Sequence, residues 1–350
     1  MRSTLAYFTG SFWFTAICLA LGGFLGWQSH GTVAGVVSTV LIVALLGVLE
    51  TSLSFDNAVV NATVMRDMTP VWRHRFLTWG MAVAVFGMRF LFPVAVVSVV
   101  AWISPFEAVR LAAFDADEYA RLLTSAHVPL GAFGGAFLGM VSLKYFFDTE
   151  KDVHWIGMVE RPLVRLGKFE AAELGLMMAA LYGLSRMLPE AEAHEFLVAG
   201  IFGLITFIAV DAVGEFMKPE EGTGVDLAKA GMAGFLYLNV LDASFSFDGV
   251  IGAFALTNQL FIIALGLGVG AMFVRSLTIL LVDRGTLESY AYLEHGAFYA
   301  VGALALFMLV GTIVEVPQAV TGLAGALFIG LSFWSSLRAP GRGDGDSAGA

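Results

Sequence analysis

Apolar residues in this chain come in long runs separated by short polar stretches, and the runs show no strand-like alternation. Ten of them are long enough to span a bilayer as helices: about 7–27, 34–65, 76–101, 130–147, 171–188, 196–216, 229–256, 260–282, 297–314 and 316–336. The second and seventh are too long for one straight span. Each has Ser, Asp and Asn or Gly at its centre, residues that give the backbone competing hydrogen bonds or extra freedom. A break is therefore expected near Ser54–Asp56 and another near Ser246–Gly249. The pattern predicts an all-α, polytopic membrane helix bundle of about ten transmembrane helices. One transmembrane domain would cover 1–338, and the Gly/Asp-rich tail 339–350 would be disordered.

Composition supports that class. The chain is 58% hydrophobic and 14% charged, against about 25% charged residues in soluble domains. The single cysteine, Cys18, allows no intrachain disulfide and no thiolate cluster for a soft metal. A net charge of −10 with no basic patch argues against a nucleic-acid partner. There is no phosphate loop, nucleophile elbow or HExxH, so no enzyme and no cofactor are expected. The first apolar run, behind Arg2, reads as a retained span. Basic residues set the orientation. With both termini cytoplasmic, the inner segments hold Arg2, Arg66, Arg73, Arg75, Lys151, Arg161, Arg165, Lys168, Lys218, Lys229, Arg284, Arg338 and Arg342. The outer loops hold only Arg110, Arg121 and Arg186. The expected location is a bacterial inner (plasma) membrane, with the lipid bilayer as partner and a homo-oligomer open.

One motif occurs twice. Residues 46–62 read LGVLETSLSFDNAVVNA and residues 238–254 read LNVLDASFSFDGVIGAF. Glu50 aligns with Asp242, Ser54 with Ser246, Phe55 with Phe247 and Asp56 with Asp248. The copies lie in the second and seventh runs, five spans apart, so they enter the membrane in opposite directions. That is an inverted internal repeat with halves at about 7–188 and 196–336, as in many transporters. Arg89 and Arg275 each follow their motif by one span. Spans two to four and seven to nine would form the core, and spans one, five, six and ten the periphery.

A carboxylate at membrane depth costs roughly 2.5–3.5 kcal/mol on insertion scales, so it usually marks a function. On an unbroken helix, residues six apart would not face one cavity; a break lets Glu50 and Asp56 converge, and Asp242 and Asp248 likewise. Four carboxylates with the candidate hydroxyl ligands Ser54 and Ser246 and the amide of Asn57 make a hard oxygen site. Such ligands suit Mn²⁺, Mg²⁺ or Ca²⁺. Arg89, Lys144 and Arg275 would balance charge or gate. Two plainer alternatives are buried ion pairs that fix packing, above all for Lys144, Asp211 and Glu215, and a proton relay without metal. The 148–170 segment is expected to hold a short interfacial helix. The acidic 102–129 stretch is expected to be a solvated outer loop, and the runs Gly131–Gly139 and Gly266–Gly270 to be packing faces.

ETSLSFDNAVVNA resembles the E-x-x-L-S-x-D-N-A signature of the TerC family of integral membrane proteins, named for tellurium resistance. With FGMR and SFDGVIGAFALT, the chain resembles the DUF475 branch of that family, within the LysE-type transporter clan, over roughly 34–315. Gly249 departs from the Ser usual in the second motif. The resemblance implies efflux of metal cations, manganese above all, and a link to tellurite or metal stress. Carried over by position, Glu50, Asp56, Asn57, Asp242 and Asp248 would be the metal site. The expected function is a secondary transporter that exports divalent cations, with protons as the coupling ion. The alternatives are a non-transporting scaffold or sensor subunit, and an exporter of a small organic solute.

Overall fold

The computed structural model describes residues 3–66, 68–80, 82–169, 171–216, 227–254 and 256–338. Among them there are helices and no strand. Helix α1 (Thr4–His30) ends on Gly31, whose φ of 62° lets its N–H close onto Trp27 O. Thr32 then caps α2 (Val33–Leu53) by accepting from Gly35 N. Next come α3 (Phe55–Arg66) and α4 (Pro70–Arg75). Two π-helical stretches, Phe76–Gly80 and Val83–Leu91, lead into α5 (Phe92–Ala101). Pro93 lacks the N–H that would bond to the carbonyl of Arg89, so the ladder above it is free to widen.

Trp102, in the left-handed region at φ 54°, turns the chain into α6 (Pro105–Phe114), with a Ser104–Glu107 capping box. Then follow α7 (Ala116–Ser125), α8 (His127–Phe147), α9 (Gly157–Leu166), α10 (Ala172–Ser185) and α11 (Glu190–Phe216). The last five are α12 (Leu227–Ala253), α13 (Leu260–Asp283), α14 (Thr286–Ser289), α15 (Leu293–Gly311) and α16 (Gln318–Arg338).

All ten apolar runs fold as helix, so the polytopic class holds. By length and composition alone, fewer than ten of them qualify as full spans. Seven helices among the described residues are long and apolar enough to cross a membrane: α1, α2, α8, α11, α13, α15 and α16. The stretch 86–101 with α6, bent by 105°, would make an eighth. The others fall short for visible reasons. Helix α10 has only 14 residues, α3 is the buried second half of a divided run, and the apolar run of α12 is interrupted by Asp242 and Asp248.

The 102–129 stretch is not a simple solvated loop. Ala108, Ala112, Tyr119 and Leu123 of α6 and α7 are buried with Val94 and Val97 of α5 and Leu260 of α13. The 148–170 segment does hold a short helix, α9. The tail 339–350 lies outside the described residues.

The core is built from small-residue contacts. Gly266 and Gly270 of α13 lie against Leu46 and Glu50 of α2, and Gly131 and Gly135 of α8 against the backbone of α15. Both glycine runs are therefore packing faces, as expected. Helix α13 packs on α2 and α3, α12 on the second π-helical stretch and on α8, and α8 on α15. Outward faces of α1, α2, α11 and α16 expose Trp13, Phe24, Leu41, Phe202 and Leu323, an apolar girdle suited to lipid.

Candidate cation site

The first motif breaks its helix and the second does not. Helix α2 ends at Leu53, Ser54 leaves helical geometry at φ −101° and ψ 25°, and α3 starts at Phe55. The Asp56 carboxylate accepts from Asn57 N at 2.9 Å, a local bond that competes with the helical ladder. Helix α12 runs unbroken from Leu227 to Ala253, which corrects the expected break at Ser246–Gly249. There Ser244 satisfies its hydroxyl inside the helix, donating to Val240 O, and Gly249 keeps helical geometry.

Two small cavities flank Glu50. The first, about 20 Å³, is lined by Glu50, Ser54, Asn57, Asn61, Arg89, Asp242, Ser246 and Arg275 among others. The second, about 30 Å³, is lined by Glu50, Ser54 and Asp56 with Phe245 and Gly249 of α12 and Thr321 and Gly322 of α16. Each holds a water-sized body and little more. Glu50, Ser54 and Phe245 form the shared wall. Glu50 thus shares the first cavity with Asp242 and the second with Asp56.

The polar contacts are specific. Arg89 Nη2 donates to Glu50 Oε1 at 2.5 Å, and both side chains are buried. Asn61 Nδ2 donates to Asp242 Oδ1 at 2.9 Å. Among the described residues, Asn57 Oδ1, Asn61 Oδ1 and Ser246 Oγ are buried without a hydrogen-bond partner. A buried polar atom left unsatisfied costs about 1–3 kcal/mol, so three such oxygens around one cavity suit a hydrogen-bonding or cationic guest, a water or a small ion. Gly249 and Gly270 shape the carboxylate. A Cβ at Gly249 would lie 2.9 Å from Glu50 Oε2, and one at Gly270 would lie 2.3 Å from Glu50 Cγ.

The expected site residues therefore divide. Glu50, Asp56, Asn57, Asp242, Ser54 and Ser246 are brought together around the two cavities. The side chain of Asp248 lies outside the described residues, as does that of Glu215. Arg89 balances Glu50 as expected. Arg275 reaches the first cavity, but its Nε donates to Leu77 O at 2.7 Å rather than to a carboxylate. Lys144 is not at the site: it pairs with Asp211 of α11 on a more exposed face. Among the described residues no three His, Cys, Asp or Glu gather closely enough to hold a metal by themselves, so amide and hydroxyl oxygens would have to complete any coordination shell.

Asn61, a candidate from the sequence as a polar residue inside the membrane, and α16 contribute more than the sequence assigned them. Asn61 was legible as a polar residue one turn beyond Asn57, but its pairing with α12 was not. Helix α16, expected at the periphery, lines the Asp56 cavity, with Gly325 set against Asp56 Oδ2. Its signal was the TGLAG run at 321–325, which permits that approach.

A family model described as "Protein of unknown function (DUF475)" matches residues 55–342. No curated protein and no solved structure matches the chain.

Proposed function

The chain belongs to the DUF475 family, and on that premise we propose that it is a secondary transporter exporting divalent metal cations, manganese above all, through the acidic centre between α2–α3 and α12. The observation that carries this reading is the oxygen set: Glu50, Asp56 and Asp242 beside three buried oxygens without donors, in cavities the size of a bare ion or one water. Hard oxygen donors favour Mn²⁺, Mg²⁺ or Ca²⁺ over soft ions. A cavity this small disfavours a small organic solute.

In this reading Arg89 is the internal counterion. It neutralises Glu50 when no ion is bound and yields to the arriving cation. Glu50, on the wall between the cavities, then passes the ion from the Asp242 side to the Asp56 side. Protons are the coupling ion, because carboxylates release them on binding metal. The packing of α13 on α2–α3 and of α12 on the π-helical stretch is the same kind of contact made twice, each motif-bearing span against the span that follows the other motif, and α8 on α15 pairs the fourth span with the ninth, as an inverted repeat would. Affinity with the TerC family and the LysE-type clan, both termini in the cytoplasm, a bacterial inner membrane and the absence of enzymatic activity belong to the same proposal.

A second reading, a scaffold or sensor subunit of a metal or tellurite stress complex, draws on the Glu50–Arg89 pair, which is as well made as a structural ion pair. Electron paramagnetic resonance of Mn²⁺ with detergent-purified protein separates the two. The transporter reading predicts saturable Mn²⁺ binding that Asp242→Asn and Asp56→Asn each weaken at least tenfold. An unbroadened free Mn²⁺ spectrum at all ratios would favour the scaffold.

A further inference from the structure

A third cavity, about 160 Å³, lies between α3, α4 and the end of α13. It shares no lining residue with the acid cavities. Ala62, Leu281, Val282 and Leu287 make an apolar wall, and Arg66 and Arg73 make a cationic edge. The two arginines are held differently. Arg66 Nη1 pairs with Glu294 at 3.4 Å, which offsets part of its charge. Arg73 Nη2 donates to the carbonyls of Arg66 and Met68 at 3.2 and 3.4 Å, closing the end of α3. Arg73 Nε is buried and has no acceptor among the described residues. A guanidinium carries five N–H donors in a fork suited to phosphate oxygens, so Arg73 has donors to spare.

The level of this cavity is marked independently. On α4 the Arg75 guanidinium lies 4.5 Å from the centre of the Trp72 ring, and Trp72 packs on Phe235. Tryptophan and arginine together are typical of headgroup depth. Basic pockets between membrane helices at that depth take lipid phosphates. A soluble anion would use the arginines but leave the apolar wall bare.

We propose that this cavity binds an anionic phospholipid, with its phosphodiester on Arg73 and Arg66 and its apolar portion against Leu281 and Val282. The site is independent of ion transport. The test uses the full chain, delipidated in a neutral detergent and titrated with short-chain phosphatidylglycerol, short-chain phosphatidylcholine or inorganic phosphate. Native mass spectrometry and thermal unfolding are the readouts. Phosphatidylglycerol is expected to bind one per chain and raise Tm, while phosphatidylcholine and inorganic phosphate do neither. Arg73→Gln is expected to weaken binding about tenfold, as loss of a charge-assisted hydrogen bond does. Because Arg73 also closes α3, Val282→Phe serves as the second variant: it narrows the cavity, keeps both arginines and should reduce binding likewise. Equal binding of phosphatidylcholine, the same Tm shift from inorganic phosphate alone, or unchanged phosphatidylglycerol binding in Val282→Phe would overturn the assignment.

Discussion

Glu50 is held from three sides: by Arg89 at 2.5 Å, by the bare backbone of Gly270, and by Gly249, where a Cβ would press on its carboxylate. Removing one partner of a buried ion pair strands a charge and costs about 3–5 kcal/mol, whereas removing both can be nearly neutral. Arg89→Gln is therefore expected to lower unfolding stability in detergent by about 3 kcal/mol, and Glu50→Gln/Arg89→Gln to recover most of it; equal losses in single and double variants would contradict the pairing. Gly270→Ala puts a methyl within 3.1 Å of Thr51 N as well as against Glu50, so a loss of about 1–3 kcal/mol is expected from overpacking, read as a lower unfolding midpoint. At this scale the sequence was informative about which residues are polar at membrane depth. The partners were not legible. Nothing in FGMR tells that Arg89, rather than Lys144, meets Glu50, because that depends on how the π-helical stretch turns the side chain toward α2.

Two copies of one motif fold differently. SFD ends α2 and starts α3 in the first copy but lies within the unbroken C-terminal third of α12 in the second. The break was readable from Ser54, Asp56 and Asn57, since each can bond its own backbone. The continuity of α12 was not, because the second copy carries the same Ser and Asp in a run that stays helical.

The segment between α8 and α10 shows the same limit. Its short helix was foreseeable, but the burial of Glu160 was not. That carboxylate is 0% exposed. It accepts from the N–H groups of Trp155 and Ile156 and faces Lys151, His154 and His295. Lys151 in turn lies over the Tyr145 ring at 3.8 Å. Glu160→Ala is expected to destabilise by about 3 kcal/mol, since it leaves Lys151 buried without its carboxylate, and thermal unfolding reads the loss. Burial is also the main influence on Lys151 itself, holding its ammonium below the ordinary lysine value of 10.5 against the opposing pull of Glu160. The folded protein then binds fewer protons than the unfolded chain between that lowered value and 10.5, so stability rises with pH across this window. Lys151→Met should flatten the rise; an unchanged pH profile would mean that Lys151 is solvated.

At the scale of the molecule, apolar runs identified every major helix, and composition identified the membrane. The number of spans was harder to read, because a run of apolar residues does not distinguish a lipid-crossing helix from one buried inside the bundle, such as α3, or one too short, such as α10. The duplicated acids predicted a shared centre. The structure divides that centre into two cavities with Glu50 on the wall between them. If that wall is the ion's path, Asp56 and Asp242 act in series, and either one is indispensable. The most direct measurement is Mn²⁺ flux across proteoliposomes under a pH gradient, with wild type, Asp56→Asn and Asp242→Asn reconstituted to equal density. Gradient-dependent flux is expected in wild type, and its loss in each variant, with the variants still folded. Flux that persists undiminished in either variant, or none in wild type with Mn²⁺, Mg²⁺ or Ca²⁺, would contradict it.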